Sequence, residues 1–334
     1  MEYDDDQPRV PNLDDLVEAA EPNPLLRRVD ALCESRSWDE LVALARRCRE
    51  AYERGKQLWP IAEHIDYRLA LEAPARYAAE VLTPSAGRFA FGPLTEVAAS
   101  THTFDELAPH LPSPQVAGVV AAERVLRGEI LAGRPDAHAE VLELPMRLEP
   151  WEPPYPVATY KAHEIEAPAP ETTAVTGEGT PGEGEPIDDP ELLRALLDLA
   201  AAWVTGSGGK AEAAVVDGDA AGAIGALGAG PYLIGRIDPR EALALMAWAA
   251  GSGGAHGRRR GAAAGRSAAW WAATELSGLD WPVNPAELAE ELARLRWFRW
   301  EPQELPGGWN LHLAVEDPDD GWSAAIAAED HATE

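Results

Sequence analysis

The sequence predicts a mainly α protein in two parts: an N-terminal all-α domain of helical hairpins, solenoid-like or bundled, and a C-terminal α+β domain with a small antiparallel sheet. Three observations predict it. Across residues 24–131 apolar side chains recur at helical spacing between Pro, Gly, Ser and Thr joints. Across residues 135–190 the chain becomes proline-punctuated, then acidic and low in complexity. Near the C-terminus RWFRWEPQ, WNLHLAVED and WSAAIAAED read as strands parted by PGG and DPDDG turns.

Composition sets the outer limits. The 334 residues, 46% hydrophobic and 25% charged, suffice for two domains with a buried core. With 57 acidic against 28 basic residues the net charge is -29, so the average field repels phosphate and argues against general nucleic-acid or anionic-membrane binding. No apolar run approaches the ~20 residues that cross a bilayer, and MEYDDDQPRV lacks the basic and apolar regions of a secretion signal. A soluble, cytoplasmic protein is expected. Cys33 and Cys48, without a CxxC spacing, read as reduced packing residues.

In chain order, residues 1–22 carry Asp4, Asp5, Asp6, Asp14, Asp15 and Glu18 and read as an acidic flexible tail. The all-α domain spans residues 23–134. Leu25, Val29 and Leu32 share one helix face, and Ser37 with Glu40 has the form of a capping box. His64, Asp66, Tyr67 and Arg68, and further on His102 and Asp105, are polar groups without the spacing of a known metal-ligand set. Helix capping and surface pairing account for such residues. Residues 135–187 form a Pro-rich stretch whose Leu142, Leu144, Met146, Leu148, Trp151 and Tyr155 dock in extended form, followed by a disordered acidic linker.

Residues 188–334 are the α+β domain. TGSGGKAE fails as a phosphate loop, because Val204 stands where the first Gly belongs and Ala211 where Ser or Thr belongs. Residues 210–217 read as a strand that joins the three C-terminal ones. In WNLHLAVED, Trp309, Leu311, Leu313 and Val315 face one side, and Asn310, His312 and Ala314 the other. The acidic run Glu316, Asp317, Asp319 and Asp320 reads as a turn, since it lacks the EF-hand pattern.

The one concentrated candidate site is GSGGAHGRRRGAAAGRSAAWW, residues 251–271, which sets four arginines among glycines in this acidic chain. Residues 257–261 read as a loop opening a helix that ends near Ser277. Gly261, Gly265, Ala269 and Ala273 then make a stripe almost without side chains, against which the helix at residues 239–250 can pack closely. Arg259, Arg266 and Trp270 share another face, so His256, Arg258, Arg259, Arg260, Arg266 and Trp270 are the candidate ligand-binding residues. Arginines at a helix start face the positive end of the macrodipole and call for an anion there. The alternative is that they pair with the abundant Asp and Glu.

WPIAEHIDYRLALEAP, GPLTEVAASTHTFDELAPHL and SGGAHGRRRGAAAGRSAAWW resemble stretches of uncharacterised actinobacterial hypothetical proteins. The resemblance implies an actinobacterial, cytoplasmic origin and carries over no catalytic residue. Two functional classes follow from the residues: a non-enzymatic adaptor or binding protein for a protein partner or an anionic ligand, and an enzyme acting on an anionic small molecule with His256 as acid or base. No cofactor and no metal is expected. The absence of an accompanying nucleophile or carboxylate pair favours the first.

Overall fold

The computed structural model describes residues 13–83, 90–304 and 307–331; Asp4, Asp5 and Asp6 of the expected tail lie outside them. The chain opens with α1 (Leu13–Ala19), α2 (Pro22–Glu34), α3 (Trp38–Glu53), α4 (Trp59–Glu72), α5 (Ala75–Glu80), α6 (Leu94–Thr101), α7 (Phe104–Leu107) and α8 (Pro114–Leu126). The second half of the tail is therefore helix. Val17 is buried among α2 and α3 residues, and Lys56 holds Glu18 at 2.7 Å, which fixes α1 against its neighbours. Ser37 caps α3 without a side-chain hydrogen bond, because its hydroxyl meets Ser35 and Glu40 pairs with Arg28. A complete capping box occurs at Thr103 and Glu106.

Apolar stripes order these helices in a row: α3 packs on α4, α4 on α6 and α6 on α8. Cys33 and Cys48 are free and buried in the first of two helical cores, where burial raises each thiol to about 11. The Pro-rich stretch opens with two 3-10 turns, Pro135–Ala137 and Ala139–Val141, rather than in extended form; its Leu144, Met146 and Tyr155 are buried, and the Leu131 amide donates to the Met146 carbonyl at 2.8 Å. A short hairpin of β1 (Thr159–Tyr160) and β2 (Ile165–Glu166) follows.

The remainder comprises β3 (Gly177–Gly179), β4 (Glu185–Pro186), α9 (Pro190–Asp198), α10 (Ala201–Gly206), β5 (Lys210–Asp217), α11 (Ala220–Ala226), β6 (Tyr232–Ile237), α12 (Pro239–Gly251), α13 (Ala262–Leu276), α14 (Pro285–Arg294), β7 (Arg296–Pro302), β8 (Trp309–Asp317) and β9 (Trp322–Asp330). Seven strands form one antiparallel sheet in the order β3-β6-β7-β8-β9-β5-β4. The fold is mixed α/β, and the sheet is not small. Alternation in β8 is as the pattern requires. Leu311, Leu313 and Val315 join the large core with α9, α12, α13 and α14, whereas Ala314 faces the core around α11.

Residues 167–186, read from composition as a disordered linker, supply both outer strands of this sheet. The Thr173 amide and hydroxyl donate to Glu241 at 2.8 and 2.6 Å, and the Gly182 amide donates to the Ala221 carbonyl at 2.9 Å. Backbone hydrogen bonds hold what side-chain composition does not predict. The six residue steps from Gly179 to Glu185 span at most about 20 Å, yet they join opposite edges of seven strands, which lie flat about 29 Å apart. The sheet must therefore curl. The strap closes over α11 with backbone against backbone, since a methyl group on Gly222 would stand 3.0 Å from the Glu183 carbonyl oxygen.

Candidate functional site

The arginine loop runs between α12 and α13, and glycine geometry closes it. The amides of Arg260 and Gly261 both donate to the Gly251 carbonyl, at 2.9 and 3.2 Å. Gly261 turns into the helix at φ 101, a conformation side chains disfavour. The loop is also tied outward: the Ala255 amide donates to Asp330 at 2.6 Å and the His256 amide to the Ser207 hydroxyl at 2.7 Å. Behind it α12 and α13 form the close hairpin that the small-residue stripe requires, with Gly265 lying against the backbone of Ala247 and Gly251.

The anion that the start of α13 calls for is supplied by the protein itself. The Ala263 amide donates to Glu123 Oε1 at 2.8 Å, and Arg127 reaches the other oxygen of that carboxylate at 3.2 Å. Beside it Arg259 grips Glu96 with two hydrogen bonds, Nε to Oε2 at 2.9 Å and Nη2 to Oε1 at 2.7 Å, and Tyr160 donates to Glu96 Oε2 at 2.8 Å. Glu96 and Glu123 are fully buried. Burial, and then the charge of Glu96, raises Glu123 to about 7. Burial works against the Arg259 charge as well, but the charge and hydrogen bonds of Glu96 outweigh it and hold the guanidinium protonated.

Arg266 and Trp270 occupy a different place. Arg266 has no exposed surface, and it donates to Glu152, at 2.8 and 2.7 Å, and to the carbonyls of Pro145 and Arg147, each at 3.0 Å. Trp270 Nε1 and the Tyr155 hydroxyl each donate to Glu152 Oε2 at 2.8 Å, and the Glu149 amide donates to Oε1 at 2.9 Å. Both carboxylate oxygens are thus fully engaged. Arg266 and Trp270 consequently pin the docked Pro-rich stretch to α13 and, being buried, present no surface to a ligand. The expected single wall of Arg259, Arg266 and Trp270 divides between two carboxylates.

What remains accessible is a cleft of about 610 Å³ lined by Arg258, Arg259 and Arg260, with Pro93 at the start of α6 and Ala201 and Thr205 of α10 among its walls. Arg258 and Arg260 are exposed at its mouth, and no carboxylate among the described residues pairs with Arg260. His256 is exposed and stands outside this lining. Its size is within the usual range for small-molecule sites. Chemically, the cleft offers guanidinium forks above small apolar walls, which suits a planar or tetrahedral anion.

A family model described as a family of unknown function (DUF6183) matches residues 23–332. The chain belongs to that family. No curated protein and no solved structure matches it. Membership of DUF6183 assigns no ligand to the cleft.

Asp66, Arg68, His102, Asp105 and Asp317, also singled out from sequence, take structural roles. Asp66 pairs with Arg49, Arg68 with Asp30 and Glu72, and Asp105 with Arg134. His102 bonds the carbonyls of Ala73 and Ala98, at 2.8 and 3.1 Å. Asp317 accepts from the amides of Asp319 and Asp320 at 3.0 and 3.1 Å, as a turn requires. Among the described residues no group of three or more His, Cys, Asp or Glu side chains gathers as a metal site, and no helix is long and apolar enough to cross a membrane.

Sequence reasoning missed Glu96, Glu123, Glu152 and Tyr160. A signal was present for two of them: Glu96 in PLTEVAAS and Glu123 in VAGVVAAERVL sit on otherwise apolar helices. A carboxylate forced into a core by its helix needs a cation or a helix start to face it.

Proposed function

We propose that this protein is a non-enzymatic binding protein whose cleft at Arg258, Arg259 and Arg260 takes a phosphate- or carboxylate-bearing small molecule. One observation carries the reading: three consecutive arginines line a single concave cleft in a chain of net charge -29. Arg259 is held by Glu96 and fixes the loop, and Arg260, which pairs with no carboxylate among the described residues, meets the ligand, with Arg258 beside it in the lining.

Binding to the folded state alone stabilises by about 2.7 kcal/mol at a ligand concentration ~100 times Kd. Titration with inorganic phosphate, pyrophosphate, nucleotides and sugar phosphates should give at least one saturable rise in melting temperature that weakens with salt. Arg258→Ala with Arg260→Ala should abolish the rise while the far-ultraviolet spectrum is retained. A panel without any shift, or a shift that survives the double substitution, defeats the proposal.

A further inference from the structure

A second cavity lies at the opposite end of α12. That helix has 13 residues, which places its two ends about 18 Å apart. The cavity, of about 370 Å³, opens between the first turn of α12, helix α14 and the start of β7. Trp151, Trp297, Leu243 and Leu292 give it apolar walls, and Arg236 and Arg240 line it as well. Trp297, Leu243 and Leu292 are buried beneath it, and Trp297 Nε1 donates to the Leu292 carbonyl at 3.0 Å, so the indole N–H is satisfied.

The charges set this cavity apart. The neighbouring arginines Arg294, Arg296 and Arg299 each hold a carboxylate, from Asp317, Glu316 and Glu301. Arg236 makes no ion pair or side-chain hydrogen bond among the described residues. Arg240 gives one Nη2 hydrogen bond, at 2.8 Å, to the Glu152 carbonyl and pairs with no carboxylate among them. Asp238 also lines the cavity, but it is engaged as the cap of α12, accepting from the Arg240 amide at 2.8 Å. A guanidinium carries five donors, so both arginines retain donors beside an apolar space in a chain with 57 acidic residues available.

We infer that this cavity is a second binding site, for an amphipathic carboxylate whose apolar tail lies against Trp151 and Ala289, above the buried Trp297, Leu243 and Leu292, and whose head meets Arg236 and Arg240. Tail burial supplies affinity in proportion to its length, and the arginine forks distinguish an anionic head from a neutral one of the same shape. The site is independent of the cleft at residues 258–260, since the two share no lining residue.

Calorimetric titration of the full chain with butanoate, hexanoate and octanoate tests it. Kd should fall about fourfold per added methylene, octanamide should bind at least tenfold more weakly than octanoate, and excess inorganic phosphate should not compete. Arg236→Ala with Arg240→Ala should bring octanoate and octanamide to equal affinity. Ala289→Phe, which fills the cavity from a half-buried position on α14, should abolish both. No saturable octanoate binding, no dependence on tail length, or binding unaffected by these substitutions overturns the inference. Loss of the phosphate-bearing ligand from the first cleft would leave these results unchanged.

Discussion

Replacing Gly265 by alanine tests the packing on which the arginine loop rests. In an isolated helix this change stabilises by about 1 kcal/mol, because glycine is the weaker helix former. Here the added methyl group would press on the Ala247 carbonyl oxygen inside van der Waals contact, with Gly251 N at 3.0 Å and the Ala247 carbonyl carbon at 3.1 Å. Carbon contacts are ordinarily at about 3.5–4.0 Å. The atoms struck are backbone, so no rotamer change relieves them, and α12 and α13 must separate by about half an ångström or more. A gap of that size forfeits roughly a quarter of the dispersion energy for every pair along the crossing.

Overpacking of well-filled interiors costs about 1–3 kcal/mol, and backbone contacts place this case at the upper end. Subtracting the gain in helix propensity leaves Gly265→Ala destabilised by about 2 kcal/mol. Urea unfolding checks it: the midpoint should fall with m unchanged. Ser267→Ala, at a half-buried position of the same helix, reports propensity without the clash and should not lower the midpoint. If Gly265→Ala unfolds at the same or a higher urea concentration than the parent, the helices do not meet at this glycine and the loop is held by its hydrogen bonds alone.

Three further outcomes follow from the ion pairs. Arg266→Met leaves the Glu152 carboxylate buried without its cation and should cost about 3–5 kcal/mol, most of it recovered when Glu152→Gln is added, as a denaturation cycle would reveal. Glu123 sits near 7 when folded, above its usual 4.5, so the folded state holds its proton more tightly. Stability from this group is complete below about pH 4.5 and is lost as pH rises through 7; Glu123→Gln, which keeps an acceptor for the Ala263 amide, should flatten the melting temperature between pH 5 and 8. Asp317 is held at about 2, below its usual 3.8, by Arg294 first and then by the amides of Asp320 and Asp319, so its contribution is present above about pH 4 and is lost as pH falls towards 2. Arg294→Ala should weaken that acid dependence, measured as the slope of unfolding free energy against pH.

The elements legible in the sequence are those whose pattern and burial coincide. The β8 alternation and the α12–α13 hairpin declare themselves through period and small residues. Strands β3 and β4 did not, because Gly, Glu and Pro carry no strand propensity. Their place depends on ladder partners in β6 and β5, far along the chain. The arginine cluster was legible as a concentration of charge but not as a division of roles. Arg259 and Arg266 lie seven residues apart, yet each is drawn to a carboxylate from a separate segment, at positions 96 and 152.

That division explains why two of the four arginines between residues 258 and 266 lie inside an acidic chain. Glu96 and Glu123 come from the helical row, Glu152 from the docked stretch, and all three are carried into the interior by elements whose other residues are apolar. An uncompensated carboxylate there costs several kcal/mol, which only an arrangement bringing α13 and its preceding loop to that position can offset. Apolar surfaces between α8 and α13 would tolerate sliding, whereas bidentate Arg259–Glu96 and Arg266–Glu152 pairs admit one register. Two arginines thereby set how the helices meet the sheet layer, and the same register places Arg258 and Arg260 at the mouth of the cleft. The position of the cleft is a consequence of how the fold neutralises its own buried acids.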